Sequence, residues 1–402
     1  MRFEFGFYSS ILLITFSHGV IYSLLLLFKG FKTSNKSNYW LSLFVLLCSL
    51  YMSPWMLGFA GWYDNQPYRD ILFYTPFQHL FFIGPVIFIY TQSLLNANYI
   101  FNRRQFLHLI PGILYIIYIG WIWIYDQFIF GGYYYYANQT DKDFDFWYQK
   151  LGLMSMATYF ILSLKYYNLY RKVIYDTTSY ADSILFKWIK TYLIAFLIML
   201  FLPIIFDGLA LIHPGLNSYK GSWWFFLFFS VVMYYIAITG YSNPIINKIP
   251  FKVTNLSANN FLLLPESNNN KEIITDITYE TLEENIVEEI DAWKIKIEHS
   301  ILTEKLFKNP ELTLSDVAYK LGTNISIISK AINQGFKMNF NDFINNYRIE
   351  EVKKALAANE HKNTTLLGIA LNSGFNSKAT FNRAFKKNTL LSPKEFMQKN
   401  NY

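Results

Sequence analysis

The chain has 402 residues, of which 53% are hydrophobic, 20% are aromatic and only 16% are charged, with a formal net charge of +7. Ordinary soluble domains carry about 25% charged residues, so the composition argues against a chain made only of water-soluble domains. An apolar body is followed by an acidic connector at residues 271–294 and then by a basic tail. The single cysteine, Cys48, excludes an internal disulfide.

The apolar body contains seven runs long enough to cross a bilayer, which takes about 20 mostly apolar residues. They are residues 5–28, 39–59, 71–95, 106–125, 150–170, 188–212 and 223–241. The first run is too long for a signal peptide and lacks a small-residue cleavage site, so we interpret it as a retained span. The sequence therefore predicts a membrane domain of seven spans over residues 1–241.

The loops between these runs differ in charge between the two sides of the membrane. Those after spans one, three, five and seven carry most of the basic residues, whereas the opposite loops carry aspartates beside fewer basic residues. Basic loops favour the cytoplasmic side. We therefore predict a multi-pass protein of the bacterial inner (cytoplasmic) membrane, with its N-terminus outside and its tail in the cytoplasm.

Two polar side chains inside the runs are candidate sensory residues, Asp207 in the sixth and His79 in the third. A charge in lipid costs about 2.5–3.5 kcal/mol on insertion scales, so such a group faces the bundle or a wet cavity. Asp207 either joins two helices by a hydrogen bond or marks a ligand or proton site. The aromatic outer rim fits an interfacial belt. Nothing in this part has metal-ligand spacing, so no cofactor is expected.

The connector begins where Pro244 and Pro250 end the apolar pattern. The predicted cytoplasmic linker, residues 242–290, contains the polar, Asn/Ser-rich run NLSANNFLLLPESNNNK, which predicts a flexible segment. Apolar residues then recur at spacings of three and four, which predicts an amphipathic helix. They are Leu282, Ile286, Ile290, Trp293, Ile297 and Ile301. This stripe either docks on the neighbouring domain or forms a homodimer through residues 276–301.

The basic tail contains an internal repeat. Residues 312–332 align with residues 364–385, and each copy reads helix, glycine turn, helix. Gly322 and Gly374 stand at the two turns. This order is the helix-turn-helix pattern, whose second helix enters the major groove of DNA.

Residues 339–359, between the two copies, have the pattern of one helix about 30 Å long. One turn of B-DNA is about 34 Å, so one chain could place two recognition helices in successive major grooves. The predicted fold class is therefore all-α. It consists of a seven-helix transmembrane bundle, followed by a cytoplasmic domain with two helix-turn-helix motifs joined by a long helix.

Four motifs in order carry a family resemblance: NPELTLSDVA, FNDFINNYRIEEVKKAL, IALNSGFNSKATFNRAFKK and the closing SPKEF. Through them, about residues 291–397 resemble the AraC/XylS family of transcription regulators. The whole chain looks like the membrane-embedded members of that family. The resemblance implies a DNA-binding domain over residues 291–402, with double-stranded DNA and RNA polymerase as partners and a signal received through the membrane domain.

Family roles, carried over by position, place the recognition helices at about residues 325–333 and 377–388. The residues expected to face DNA are Ser326, Ser329, Lys330, Lys378, Ala379, Asn382, Arg383, Lys386 and Lys387. The residues expected on the opposite, buried faces are Ile328, Ile332, Phe381 and Phe385. Arginine can bind guanine bidentately and asparagine can bind adenine, whereas the last two lysines are assigned to phosphates.

Two positions depart from the family pattern. Leu390 stands where the family has glycine, and Phe396 with Met397 replaces an aromatic–arginine pair.

Two rival classes of function are also open. A receptor or transporter whose tail binds protein is disfavoured by the lack of repeated charged pathway residues. An enzyme is disfavoured because the chain has no phosphate-binding glycine loop, no nucleophile–base pair and no metal cluster.

Overall fold

The computed structural model describes residues 4–136, 144–185, 187–202, 218–242, 251–255, 260–263 and 283–400, and single positions at 142, 205, 208 and 209. Its contacts divide the chain into two bodies. The N-terminal body comprises Met1–Tyr167 and Phe186–Lys248, and the C-terminal body comprises Asn168–Leu185 and Ile249–Tyr402. The C-terminal body thus contains the predicted DNA-binding domain and also a segment, residues 168–185, from the end of the predicted fifth span.

Helices form most of the described part of the first 242 residues. In chain order they are α1 (Phe7–Thr33), α2 (Lys36–Phe59), α3 (Tyr68–Tyr74), α4 (Leu80–Leu95), α5 (Arg103–Leu107), α6 (Ile110–Ile124), α7 (Asp145–Thr177), α8 (Ala181–Ile184), α9 (Lys187–Leu200) and α10 (Tyr219–Ser242). In the N-terminal body α1 packs along α2 and α10, α2 also contacts α4, and α9 contacts α10. A π-helical turn, Tyr125–Phe130, extends α6.

Small polar residues bring α1 and α2 together. The Ser23 hydroxyl donates to the Ser42 carbonyl at 2.9 Å, and the Ser42 hydroxyl donates back to the Ser23 carbonyl at 2.7 Å. A Cβ atom on Gly19 would clash with the Ser49 hydroxyl, so a larger residue there would force the Ser49 side chain to move. Small residues and interhelical hydrogen bonds are typical of helix packing inside membranes.

The opposite face of α1 exposes a row of large apolar side chains, at Phe7, Ile14, Ile21 and Phe28. Four helices in the described residues are long and apolar enough to cross a membrane. They are Phe7–Thr33, Lys36–Phe59, Ile110–Phe130 and Tyr219–Ser242. Several apolar helices of this chain could therefore span a membrane.

The seven continuous spans predicted from the sequence are not confirmed. The predicted third span, residues 71–95, is broken between α3 and α4. Pro76 has no backbone N–H and disfavours a helical conformation at Thr75, whose ψ is 122°. The predicted fourth span begins at Ile110, because α5 is a separate short helix. The predicted fifth lies within the longer α7, and the continuous helix described in the predicted sixth is α9.

The described residues are predominantly helical, as the predicted all-α class requires, and one short hairpin in the connector is an exception. Strand β1 (Phe251–Asn255) pairs antiparallel with β2 (Asn260–Leu263), and the register is irregular between Val253 and Asn255. The run FKVTN offers an aromatic and two β-branched residues, which favour a strand. The run NLSANNFLLLPESNNNK was predicted to be flexible, and Asn260–Leu263 within it forms the second strand instead.

The helices of the C-terminal body, after residue 282, follow the predicted repeat. They are α11 (Glu283–Thr303), α12 (Leu314–Lys320), α13 (Ile325–Lys330), α14 (Phe340–Ala357), α15 (Leu366–Asn372), α16 (Lys378–Thr389) and α17 (Pro393–Lys399). Each helix-turn-helix copy has its own buried cluster, and α14 contributes to both. It supplies Phe340, Phe343 and Ile344 to the first and Ile349, Val352 and Leu356 to the second.

The amphipathic stripe of α11 packs inside this body. Ile297 and Ile301 are fully buried in the first cluster, and Trp293 packs against it. The described end of the stripe therefore docks on the neighbouring helices. The first two stripe positions, Leu282 and Ile286, lie outside the described side chains, and the homodimer stays a prediction.

The two turn glycines have different surroundings. Gly322 has φ +61° and Gly374 has φ +100°, both in the left-handed region that favours glycine. A Cβ atom on Gly374 would lie 2.8 Å from Lys308 Cα and would clash with the Phe307 carbonyl oxygen. A Cβ atom on Gly322 would meet nothing within 4 Å.

We expect Gly374→Ala to destabilise the second helix-turn-helix unit by about 2–4 kcal/mol, because backbone strain adds to an overpacking clash. Gly322→Ala should cost only about 1 kcal/mol, because it carries the strain without the clash. In the full-length chain, hydrogen exchange of the α15 and α16 amides measures the stability lost in Gly374→Ala. Exchange of the α12 and α13 amides measures the stability lost in Gly322→Ala. If both variants lost the same stability, the close contact of Gly374 with Phe307 and Lys308 could not be the cause of the larger loss expected for Gly374→Ala.

Candidate nucleic-acid interface

The first helix-turn-helix unit is set by two caps. The Thr313 hydroxyl accepts a hydrogen bond from the Asp316 backbone N–H, and the Asp316 carboxylate accepts one from the Thr313 backbone N–H. These satisfy donors at the start of α12. The Asn324 side chain accepts from the Ser326 N–H at 3.0 Å and starts α13. The turn between α12 and α13 contains Gly322.

The α13 helix presents the predicted residues on its outer side. Ile328 is buried, as Ile332 is in the π-helical turn that follows. Ser326 is exposed, whereas Ser329 and Lys330 are half-buried. The α-helix proper ends at Lys330, earlier than the predicted residue 333.

The second unit is built in the same way. The Thr365 hydroxyl accepts from the Gly368 N–H at 3.1 Å and starts α15, and the Ser377 hydroxyl accepts from the Thr380 N–H at 3.2 Å and starts α16. Leu390 ends α16 with φ +62°. Glycine most often takes this left-handed position at a helix C-terminus. Leu390 therefore differs from the family's glycine in its side chain but keeps the left-handed backbone conformation that glycine favours.

The two faces of α16 differ sharply in chemistry. Phe381 and Phe385 are buried against the second cluster, which directs the other side of the helix outward. The exposed residues on that side are Lys378, Ala379, Asn382, Arg383, Lys386 and Lys387. An arginine fork and an asparagine amide can read base edges, and lysines can contact phosphates. This face is therefore a candidate DNA-binding surface.

Two cations of this face have acidic partners within the C-terminal body. Arg383 forms an ion pair with Asp182, and its guanidinium also contacts the Tyr175 hydroxyl. The Lys387 ammonium lies 2.5 Å from an Asp342 carboxylate oxygen. The Arg383 side chain keeps 49% of its surface exposed, whereas that of Asp182 keeps only 7%.

A fully buried arginine, Arg348, lies behind this face on α14. Its Nε donates to the Phe307 carbonyl at 2.8 Å, and Nη2 donates to the Asn309 carbonyl at 2.7 Å. Nη1 donates at 3.1 Å both to Asn345 Oδ1 and to the Ser179 carbonyl. Burial lowers the pKa of Arg348 to about 9, so the guanidinium is charged at neutral pH. Arg348 was not among the residues predicted from the sequence to have a role.

We expect Arg348→Met to destabilise the C-terminal body by about 3–5 kcal/mol, the range for removing one member of a buried charged network. The side chain keeps much of its volume, so the loss comes from the Phe307 and Asn309 carbonyls left without their donor. Lys353→Met on the same helix is the control. It removes a partly exposed ion pair with Glu350 and an exposed hydrogen bond to the Asn388 side chain, and it should cost less than about 1 kcal/mol. Thermal unfolding of the full-length chain compares the two, and equal shifts would contradict this account.

The predicted sensory residues are not brought into a site by the described structure. His79 precedes the first turn of α4, and its buried Nδ1 has no hydrogen-bond partner among the residues described. Asp207 lies outside the described residues. Within the described ranges, no group of His, Cys, Asp and Glu could hold a metal ion.

A buried carboxylate in the N-terminal body was missed as a candidate. Asp126 is fully buried, and it accepts hydrogen bonds from the Tyr74 hydroxyl at 2.9 Å and from the Tyr134 and Tyr135 N–H groups at 3.3 and 3.4 Å. The signal was a single acid inside the apolar run IWIYDQFIF. Because Asp126 directly follows the predicted fourth span, it was predicted to be a loop charge.

Comparison with known proteins addresses the C-terminal body. A family described as a helix-turn-helix domain matches residues 317–399. An uncharacterized HTH-type transcriptional regulator of Staphylococcus aureus (strain COL) is 34% identical over 92 residues, 23% of this chain and 12% of that protein. Probable transcription factor PqrA of Proteus vulgaris is 28% identical over 115 residues, 29% of this chain and 85% of that protein. No solved structure matches significantly.

The chain spans only 12% of the length of the staphylococcal relatives, so the likeness concerns a domain and not a whole protein. The family match begins within α12 and runs to the last residue of α17. Regulators of this kind are not enzymes. The C-terminal region of the chain therefore carries a helix-turn-helix domain of the AraC type, as found in DNA-binding transcription regulators.

Proposed function

We propose that the chain is a membrane-bound, sequence-specific DNA-binding transcription regulator that receives a signal through its N-terminal body. The observation that carries the proposal is the exposed basic face of α16, opposite the buried Phe381 and Phe385. The apolar helices of the N-terminal body support attachment to a lipid bilayer. RNA polymerase is the further partner that the family resemblance implies.

The arrangement of the two units suits a long DNA site. The 18 residues of α14 span about 27 Å at 1.5 Å per residue, close to one turn of B-DNA. Arg383 and Asn382 would read bases, and Lys386 and Lys387 would hold phosphates. On the first recognition helix, the corresponding contacts would come from Ser326, Ser329 and Lys330.

The competing function is a membrane receptor or transporter whose tail binds protein. Selection of a random-sequence DNA pool on the full-length chain, held in detergent, separates the two. Enrichment of one operator motif supports the regulator. Retention of DNA without any enriched sequence, or no retention at all, would contradict it. The sensory role of Asp207 and His79 stays a prediction, as does the homodimer through residues 276–301.

Three substitutions in α16 should separate reading, holding and folding. Arg383→Ala should reduce discrimination at one operator position by about 1–3 kcal/mol, because a base contact is lost. Lys387→Ala should weaken binding to all sequences alike and reduce the salt slope by about one unit, because one phosphate contact releases counterion. Phe385→Ala should cost about 3–5 kcal/mol of folding free energy.

Salt titrations on matched and mismatched operators, with circular dichroism as the folding control, measure these three effects. The ratio of the affinities for matched and mismatched DNA is unaffected by any change that alters binding to both DNAs equally, such as a change in how often α16 is free to bind. An Arg383→Ala variant that loses the same affinity on every sequence would show that the reading face is assigned to the wrong residues.

The predicted topology gives a separate test. Fusions of a reporter active only outside the cytoplasm should be inactive after Asn35 and Ser257 and active after Asn65 and Asn138, because basic loops remain in the cytoplasm. A reporter active only in the cytoplasm should give the opposite pattern at each site and controls for expression. External activity after Ser257 would overturn the proposal, because the helix-turn-helix domain could not then reach DNA.

A further inference from the structure

Residues 168–185, which we call the docked segment, belong to the same body as the helix-turn-helix domain. Thr178 forms an isolated antiparallel bridge with Thr313, and the Ser179 N–H donates to the Leu312 carbonyl at 3.1 Å. The buried Arg348 also donates to the Ser179 carbonyl and hydroxyl. These contacts anchor the segment to the start of the first helix-turn-helix unit and to α14.

A second set of contacts reaches the recognition helix itself. The Ser183 hydroxyl lies 3.0 Å from Asn376 Oδ1, just before α16. The Asp182 carboxylate pairs with Arg383, and the Tyr175 hydroxyl donates to that carboxylate at 2.8 Å. The Arg383 guanidinium also lies over the Tyr175 ring, 5.2 Å from its centre. The one arginine of α16 is therefore held by a carboxylate and an aromatic ring together.

These partners offer the arginine the same kinds of contact as nucleic acid. A carboxylate accepts the guanidinium fork as a phosphate or the guanine edge does. A guanidinium that is paired with Asp182 cannot donate the same N–H groups to a base. Pairing of Arg383 with Asp182 and reading of DNA by the same guanidinium N–H groups therefore exclude each other.

We propose that the docked segment is an autoinhibitory element that masks Arg383 and must release it before α16 reads its operator. The inference rests on the proposed function, since masking matters only if α16 binds DNA. The anchor contacts at Thr178 and Ser179 are separate from the masking contacts at Tyr175 and Asp182. Release of the mask therefore does not require the segment to leave the domain.

The test is the operator affinity of the full-length chain in detergent micelles, with DNA selected on the wild-type protein. Asp182→Asn preserves the shape of the side chain and removes the charge that holds Arg383. We expect about 3- to 10-fold tighter binding, a modest gain because Arg383 is half exposed and the pair is correspondingly weak. Glu360→Gln is the control, since it removes one exposed acid of the same body.

A double-mutant comparison distinguishes masking from a general electrostatic effect. In an Arg383→Ala background, Asp182→Asn should gain no more than the Glu360→Gln control gains. Tyr175→Phe, which keeps the ring and removes the hydroxyl, should give a smaller gain than Asp182→Asn. If the Asp182→Asn variant does not accumulate in cells, the operator affinity of Tyr175→Phe tests the masking of Arg383 in its place.

The outcomes separate this inference from the function on which it rests. If no variant and no wild-type chain selects an operator, the proposed function fails. If the wild type binds its operator but Asp182→Asn and Tyr175→Phe gain no more than the control, the masking is overturned. An equal gain from Asp182→Asn with and without Arg383 would also overturn it.

Discussion

The buried guanidinium of Arg348 is the interaction on which the C-terminal body depends. A buried charge is costly unless its donors are satisfied, and here carbonyls before α12, a side chain of α14 and Ser179 together accept from it. The same packing explains Gly374, because a Cβ atom there would lie 3.0 Å from Arg348 Nε and clash with the Phe307 carbonyl. One charge thus joins the first unit, the second unit and the docked segment.

The faces of α16 show what periodicity can and cannot predict. Phe381 and Phe385 are four residues apart, and that spacing alone places them on one buried side with the basic residues opposite. The repeat and the turn glycines likewise predicted two helix-turn-helix units joined by a long helix. The partner of Arg383 could not be predicted, because Asp182 lies 201 residues away in the chain and no local pattern links the two.

The N-terminal body was predicted less fully, for a related reason. Hydropathy reports how apolar a run is, and it averages over a single residue such as Pro76 that ends one helix before another begins. The same averaging hid the strand at Phe251–Asn255 within a polar connector. It also left Asp126 as a loop charge, although three hydrogen bonds hold that carboxylate in a buried position.

The position of Tyr175 has a mechanical consequence. It lies in the last turn of α7, a single helix of 33 residues that contains the predicted fifth span. Side chains advance by about 100° per residue around a helix, so even a partial rotation of α7 would carry the Tyr175 ring away from Arg383. Hydrogen bonds weaken steeply with misalignment, whereas the several bonds between Arg348 and Ser179 would resist the same movement. A rotation of this helix would therefore move the aromatic ring away from Arg383, while the anchor at Ser179 and the ion pair with Asp182, which follows the anchor in the chain, stay in place.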